Sequence, residues 1–218
     1  MKSRAKVLTL VLCAILLVTG TVMGTLAYLT DRQEVVNTFT VGDVDIKVDE
    51  TDVTPDGEPV DGADRVEGNE YHLVPGQSYV KDPTMTVVKG SEESYVRMMV
   101  TINCISELRA IFGQGFLPHD FIEGKDSNIW VYENTVENGD NTVTYEFRYY
   151  KTVDAFEATE DIVLEPLFTK FTIPGEMTGE ELATIADLEI RVEGHAIQVL
   201  SFDNADAAWA AFDNQMAG

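Results

Sequence analysis

Three histidines, one cysteine outside the N-terminal apolar run and a surplus of carboxylates are the residues with which this chain could do chemistry. His72, His119 and His195 each stand alone. None falls in the His-Glu-x-x-His spacing that puts two imidazoles on one helix face to hold zinc. Only His119 has an acid as its immediate neighbour, Asp120. No serine sits in a Gly-x-Ser-x-Gly turn, and there is neither a phosphate loop nor a dinucleotide fingerprint. Carboxylate pairs are too frequent among 38 Asp and Glu residues to mark a glycosidase. Cys104 closes a run of alternating apolar residues, the setting of a small buried hydrophobe rather than an activated thiolate. These residues predict no enzyme, no catalytic residue and no cofactor or metal ligand, and allow only weak, non-specific calcium binding by acidic loops.

Charge narrows the partners. Fifteen Lys and Arg oppose those 38 acids, for a formal net charge of -23. A field of that sign repels nucleic acid and anionic membrane surfaces. With 44% hydrophobic and 9% aromatic residues the chain can bury a core. No Pro- or Ser-rich linker divides it, so residues 28–218 are expected to form a single domain.

The elements that must carry any site are mostly strands. Residues 79–104 read as two strands joined by the polar segment 89–94, a hairpin at the centre of the fold. In it Val96, Met98, Val100, Ile102 and Cys104 share one face by period-two spacing. Residues 35–49 form a long strand candidate. After Gly42 it alternates cleanly, Val44, Ile46 and Val48 inward and Asp43, Asp45, Lys47 and Asp49 outward, whereas before Gly42 both parities are apolar (Val35, Val36, Phe39, Val41). Gly42 is then a bulge or bend where the strand changes surroundings. Residues 50–70 are an acidic loop with Arg65 as its one base. Ser106 is placed to cap a short helix. Asn138-Gly139 marks a primed-turn hairpin whose return strand, 142–152, puts Val143, Tyr145, Phe147 and Tyr149 on one face. Residues 164–173 read as a further strand pair, Thr178-x-x-Glu181 as a capping box, and 188–200 as a strand. From Asn204 a helix gathers Ala205, Ala208, Trp209, Phe212 and Met216 into one stripe, either packed on the sandwich or offered to a partner. This pattern predicts an all-β, antiparallel sandwich with short peripheral helices and a C-terminal helix.

The N-terminus is organised for export. Lys2, Arg4 and Lys6 precede an apolar run, and Thr25-Leu26-Ala27 ends in a small-residue cleavage site, so residues 1–27 read as a signal peptide cut between Ala27 and Tyr28. The rival is an uncleaved anchor, since residues 7–29 carry no charge and are long enough to span a bilayer. Cys13 lies within that run, which leaves Cys104 without a disulfide partner.

Gly24-Thr25-Leu26-Ala27-Tyr28-Leu29-Thr30-Asp31, followed by Val36-Asn37-Thr38-Phe39-Thr40-Val41-Gly42-Asp43-Val44-Asp45-Ile46, resembles the start of the TasA/camelysin family. Shorter similarities follow at Pro75-Gly76, Lys81-Asp82-Pro83-Thr84, Ser94-Tyr95-Val96-Arg97, Trp130, Tyr149-Tyr150-Lys151, Pro166-Leu167-Phe168, Ile173-Pro174 and Ala196-Ile197-Gln198. The resemblance implies a jelly-roll sandwich, cleavage by a dedicated signal peptidase, and secretion to the matrix or cell surface of a monoderm bacterium. It also implies assembly into biofilm-matrix fibres with other copies of the chain and an accessory or anchoring protein. Some members were classed as metallopeptidases, which these lone histidines do not favour. Joined to the two-sided apolar pattern, it suggests that residues 28–41 leave their own subunit and complete the sheet of the next, with Val35, Val36, Phe39 and Val41 as anchors and Gly42 as the bulge or bend that ends the self-assembly strand. The alternative is a monomeric surface-binding module in which the same strand pairs at home.

Overall fold

The computed structural model describes residues 30–33, 38–39, 44–200 and 202–216, the first two segments as backbone only. One layer is a six-stranded antiparallel sheet in the order β2 (Thr38–Phe39), β1 (Thr30–Gln33), β12 (Ile190–Gln198), β6 (Ser94–Ile102), β9 (Val143–Tyr149), β8 (Trp130–Glu137). Facing it are two three-stranded sheets. The first runs β10 (Ile162–Val163), β5 (Thr84–Val87), β3 (Ile46–Asp49), and the second β4 (Ser78–Val80), β11 (Lys170–Thr172), β7 (Ile122–Glu123). Backbone bonds from Lys81 N to Thr169 O (3.2 Å), Leu167 N to Pro83 O (3.0 Å) and Leu164 N to Met85 O (2.9 Å) carry the pairing from one short sheet into the other, so together they make the second layer. The chain is an antiparallel β-sandwich with a few short helices and a helix at its C-terminal end.

The alternation in β6 does what period-two spacing demands: Val96, Met98, Val100 and Ile102 are buried in one core with Val44, Ile46 and Val48 of the opposite layer. Gly194 of β12 makes that approach close. A β-carbon there would stand 2.4 Å from Val48 Cγ2 and 2.8 Å from Met85 Cε, so only glycine fits between the layers at this point. Trp130 closes one end of the core, fully buried, and its indole N–H donates to Glu165 O at 2.8 Å.

The other face of β12 and β6 lies under helix α3 (Ala205–Met216), whose first turn is capped by Asn204 Oδ1 accepting from Ala207 N at 2.9 Å. Ala208, Trp209 and Phe212 pack on Ile197 and Tyr95. Arg97 is buried beneath them, its guanidinium 4.3 Å from the Trp209 ring centre and ion-paired with Glu146 and Asp213. Arg148 bridges Glu146 (2.7 Å) and Asp206 (2.6 Å), tying helix to sheet a second time. The predicted stripe is thus packed on the sandwich, with Met216 exposed at its end.

Several local expectations are corrected. β5 and β6 are not a hairpin: β5 pairs with β3 and β10, β6 with β12 and β9, and residues 88–93 cross between layers. All four residues of β5 are buried, which fits a strand covered on both faces rather than half of an exposed hairpin. Residues 35–49 are not one strand, because Thr38–Phe39 belongs to the large sheet and Ile46–Asp49 to the opposite layer. Residues 164–173 are not a strand pair: within them only Lys170–Thr172 forms a strand, β11, which pairs with β4 and β7. The 138–142 hairpin forms, but its positive φ falls on Asn141 (64°). The Asn138 amide instead donates to Thr142 and Thr144. Helix α1 (Ile105–Phe112) is entered through Cys104 in the left-handed conformation (φ 56°), not capped by Ser106. Ser106 N donates to Asn141 Oδ1. The capping box opens helix α2 (Gly179–Thr184) as expected.

Candidate strand-acceptor groove

A sandwich has two open sides where the edges of its layers meet, and one of them here is hollow. β3 is the edge of its sheet. β1 pairs with β12 only from Gly194 to Ile197, so among the described residues the stretch from Ile190 to Glu193 has no strand on the side away from β6. Between these two edges lies a groove of about 820 Å³, within the usual size of ligand pockets. Its apolar wall includes Val48, Leu73, Phe171, Leu188, Ile190 and Val192. Backbone groups left unpaired on such an edge are a template for another strand.

Residues 67–71 form the outer lip, and the acidic loop that carries it is held by few but dense contacts. The Arg65 guanidinium donates to Asp49 Oδ1 (2.5 Å), Thr51 Oγ1 (3.2 Å), Asp82 Oδ2 (3.0 Å) and Thr84 Oγ1 (2.9 Å), and to the carbonyls of Asp49 and Asp82. Its pKa is raised above the usual arginine value: burial opposes the shift, and the bonds to Asp49 and Asp82 outweigh it. Glu50 and Val66 exchange both backbone bonds at 2.8 Å. At the base of the groove Lys81 Nζ stands 2.7 Å from Glu50 Oε2, both side chains almost fully buried, and Asn69 Nδ2 donates to Glu50 Oε1 at 2.9 Å. Burial, then the Glu50 charge, pushes the Tyr71 hydroxyl far above the usual tyrosine range, so it stays a neutral donor to Val80 O. This is a shaped, partly apolar slot with a satisfied polar base. It can receive an extended chain or an amphipathic ligand.

The sequence-derived site residues fall unevenly. Ala27, Tyr28, Val35, Val36, Val41 and Gly42 lie outside the described residues. Phe39 is in β2, paired with Arg32 of β1. β1 lies antiparallel on β12 in its own subunit, Thr30 opposite Ile197 and Gln33 opposite Gly194. The three histidines occupy unrelated surroundings. His72 is exposed, 3.9 Å from Asp56. His119 meets the Tyr145 ring edge-on, and His195 stacks on Phe212 while its Nδ1 accepts from Arg97 Nε at 3.2 Å. Among the described residues no group of three or more His, Cys, Asp or Glu is arranged to hold a metal. The Cys104 thiol is pushed up by burial, then by Glu107 and Asp187. Among the described residues no helix is long and apolar enough to cross a membrane.

The groove has no counterpart in the sequence pattern, where 188–200 reads as a strand and 50–70 as an acidic loop. Compared with protein-family models, with curated proteins and with solved structures, the chain matches none.

Proposed function

We propose that this chain is a secreted structural protein, a subunit of extracellular matrix or cell-surface fibres, whose N-terminal strand docks into the groove of the next subunit after signal cleavage. The observation that carries the reading is the register of β1 on β12. In a donated strand that kept this register throughout, Val35 would lie opposite Val192, Asn37 opposite Ile190 and Phe39 opposite Leu188. Directly opposed residues of an antiparallel pair share a face. Val35 and Phe39 would therefore turn toward the groove's apolar wall, each contributing about 1.5–3 kcal/mol if fully buried. Main-chain bonds along the free stretch of β12 would supply the rest.

The home contact is small. β1 offers four ladder positions and β2 two, against nine between β12 and β6. A short hairpin is marginal by itself, so exchanging it for a longer strand from a neighbour costs little. Head-to-tail exchange makes filaments wherever the rotation between successive subunits does not close a ring. The resemblance to the TasA/camelysin family points the same way. The pairing of β1 within its own subunit favours the second reading, a monomeric surface-binding module.

Sizing by light scattering and negative-stain microscopy separates the two. Protein beginning at Tyr28 is expected to grow into filaments, and protein beginning at Gly42 to stay at the mass of one chain. If both remain monomeric, strand donation is refuted and the binding module stands.

A further inference from the structure

Two charged side chains stand where strand alternation calls for apolar ones. Glu50 follows β3 on the parity of Ile46 and Val48, Lys81 follows β4 on the parity of Tyr79, and all five are buried. A carboxylate and an ammonium at core positions cost more to desolvate than the residues this pattern otherwise supplies. Beside them Tyr71, Tyr79 and Phe171 form an aromatic cluster with ring centres 5.0–5.7 Å apart, and Lys81 Nζ lies 6.0 Å from the Tyr71 ring centre.

Glu50 uses both of its oxygens. Oε2 accepts from Lys81 Nζ at 2.7 Å, and Oε1 accepts from Asn69 Nδ2 at 2.9 Å. The Asn69 amide is held in one orientation, because Nδ2 also donates to Thr51 O (2.9 Å) and Oδ1 accepts from Val53 N (2.9 Å). An amine, a primary amide and a carboxylate bonded to both are thus gathered at one site. They are a nucleophile, an acyl carbon and a proton carrier. The Val53 N–H is aimed at the oxygen on which charge develops when that carbon is attacked.

We propose that Lys81 and Asn69 become joined by an amide bond, with Glu50 carrying the protons. Glu50 takes a proton from Nζ, and the freed lone pair attacks Asn69 Cγ while Oδ1 takes up the negative charge against Val53 N–H. Glu50 then passes its proton to Nδ2 and takes one from the attacking nitrogen. The Cγ–Nδ2 bond breaks, the carbonyl re-forms and ammonia leaves. An amine and a primary amide have become a secondary amide and ammonia, so no oxidant, reductant or further reactant is consumed. The link closes residues 69–81 into a covalent ring and pins the outer lip of the groove to the end of β4, a constraint that acts on the unfolded chain as a disulfide does. The Lys81–Glu50 ion pair is the form from which the bond is made, so stabilities that test that pair are read on chain of full mass. The bond alters the wall of the groove and does not depend on what the groove holds.

Mass spectrometry of the full chain in mild detergent, freshly purified and after several days, tests this. The chain is expected to be lighter than its sequence by one ammonia. Trypsin acting on the denatured chain should cut after Arg65 but not after the acylated Lys81. Residues 66–89 should therefore emerge as one peptide, short by one ammonia and giving no backbone fragments between 69 and 81. Lys81→Arg keeps a cation beside Glu50 without the amine, and Glu50→Gln keeps the shape without the proton carrier; both should retain full mass, with circular dichroism showing that they fold. Full mass and cleavage after Lys81 in the unaltered chain overturn the proposal whatever the variants do. Loss of ammonia with Lys81 still cleaved would mark a succinimide at Asn69 and overturn it as well. A bond that still forms in Glu50→Gln overturns the part given to the carboxylate. None of these readouts measures assembly, so the strand-acceptor reading stands or falls separately.

Discussion

Lys81→Met should be among the most damaging single changes to this protein, because of what it leaves behind. The ammonium and the Glu50 carboxylate form a pair of 2.7 Å at the base of the groove, with side-chain exposures of 10% and 4%. Methionine fills the aliphatic volume and removes only the charge. Glu50 then keeps Asn69 as a donor but loses its counter-ion while its own side chain stays almost fully buried. Breaking a buried pair from one side typically costs about 3–5 kcal/mol, a large part of the ~5–15 kcal/mol that holds a domain folded. The damage should be repaired by removing the other charge. Glu50→Gln keeps the acceptor and donor geometry without an ion, so Lys81→Met/Glu50→Gln is expected to recover most of the loss, and the cycle should report a coupling of about 2–3 kcal/mol. Urea unfolding followed by intrinsic fluorescence gives all four stabilities. A loss below about 1 kcal/mol for Lys81→Met, or a double variant no better than the single, would refute the argument that this pair is buried and mutually dependent.

Two further outcomes follow from other parts of the fold. Trp209→Ala should remove the lid over Arg97 and cost about 3–5 kcal/mol, with loss of the near-ultraviolet circular dichroism of a fixed indole while the sheet signal persists; an unchanged spectrum would mean the helix is not docked. Stability should also fall in acid through carboxylates that folding holds below their usual range, Glu165 through the Tyr149 hydroxyl first and Glu123 through Thr172 first. A depressed folded pKa stabilises above the unfolded value and is lost as pH falls through the folded one, so the decline should begin near pH 4.5 and continue below it. Tyr149→Phe should make that decline shallower, and an unchanged slope in acid titrations of stability would refute the assignment.

The sequence by itself determined the sandwich class, the buried parity of β6 and β3, the capping box at Thr178 and the stripe of α3, because each depends on periodicity or on a contact within a few residues. It also carried the N-terminal segment's two-sided apolar pattern. Tertiary structure alone decided which strands pair. Residues 84–87 and 94–102 are neighbours in sequence and look like a hairpin, yet the buried surfaces on both faces of β5 send them to opposite layers. Arg97 and Arg65 show the same limit from the side of charge: as single letters both read as surface bases, and only the packing of α3 and the folding of loop 50–70 turn one into a buried cation under two aromatic rings and the other into a clamp. The groove was invisible for a related reason. Its walls come from β3, loop 67–73, β11 and the start of β12, segments far apart in the chain, and a cavity exists only once those pieces are brought to one edge. Short-range chemistry is written locally, whereas strand order and concavity are properties of how distant apolar faces find each other.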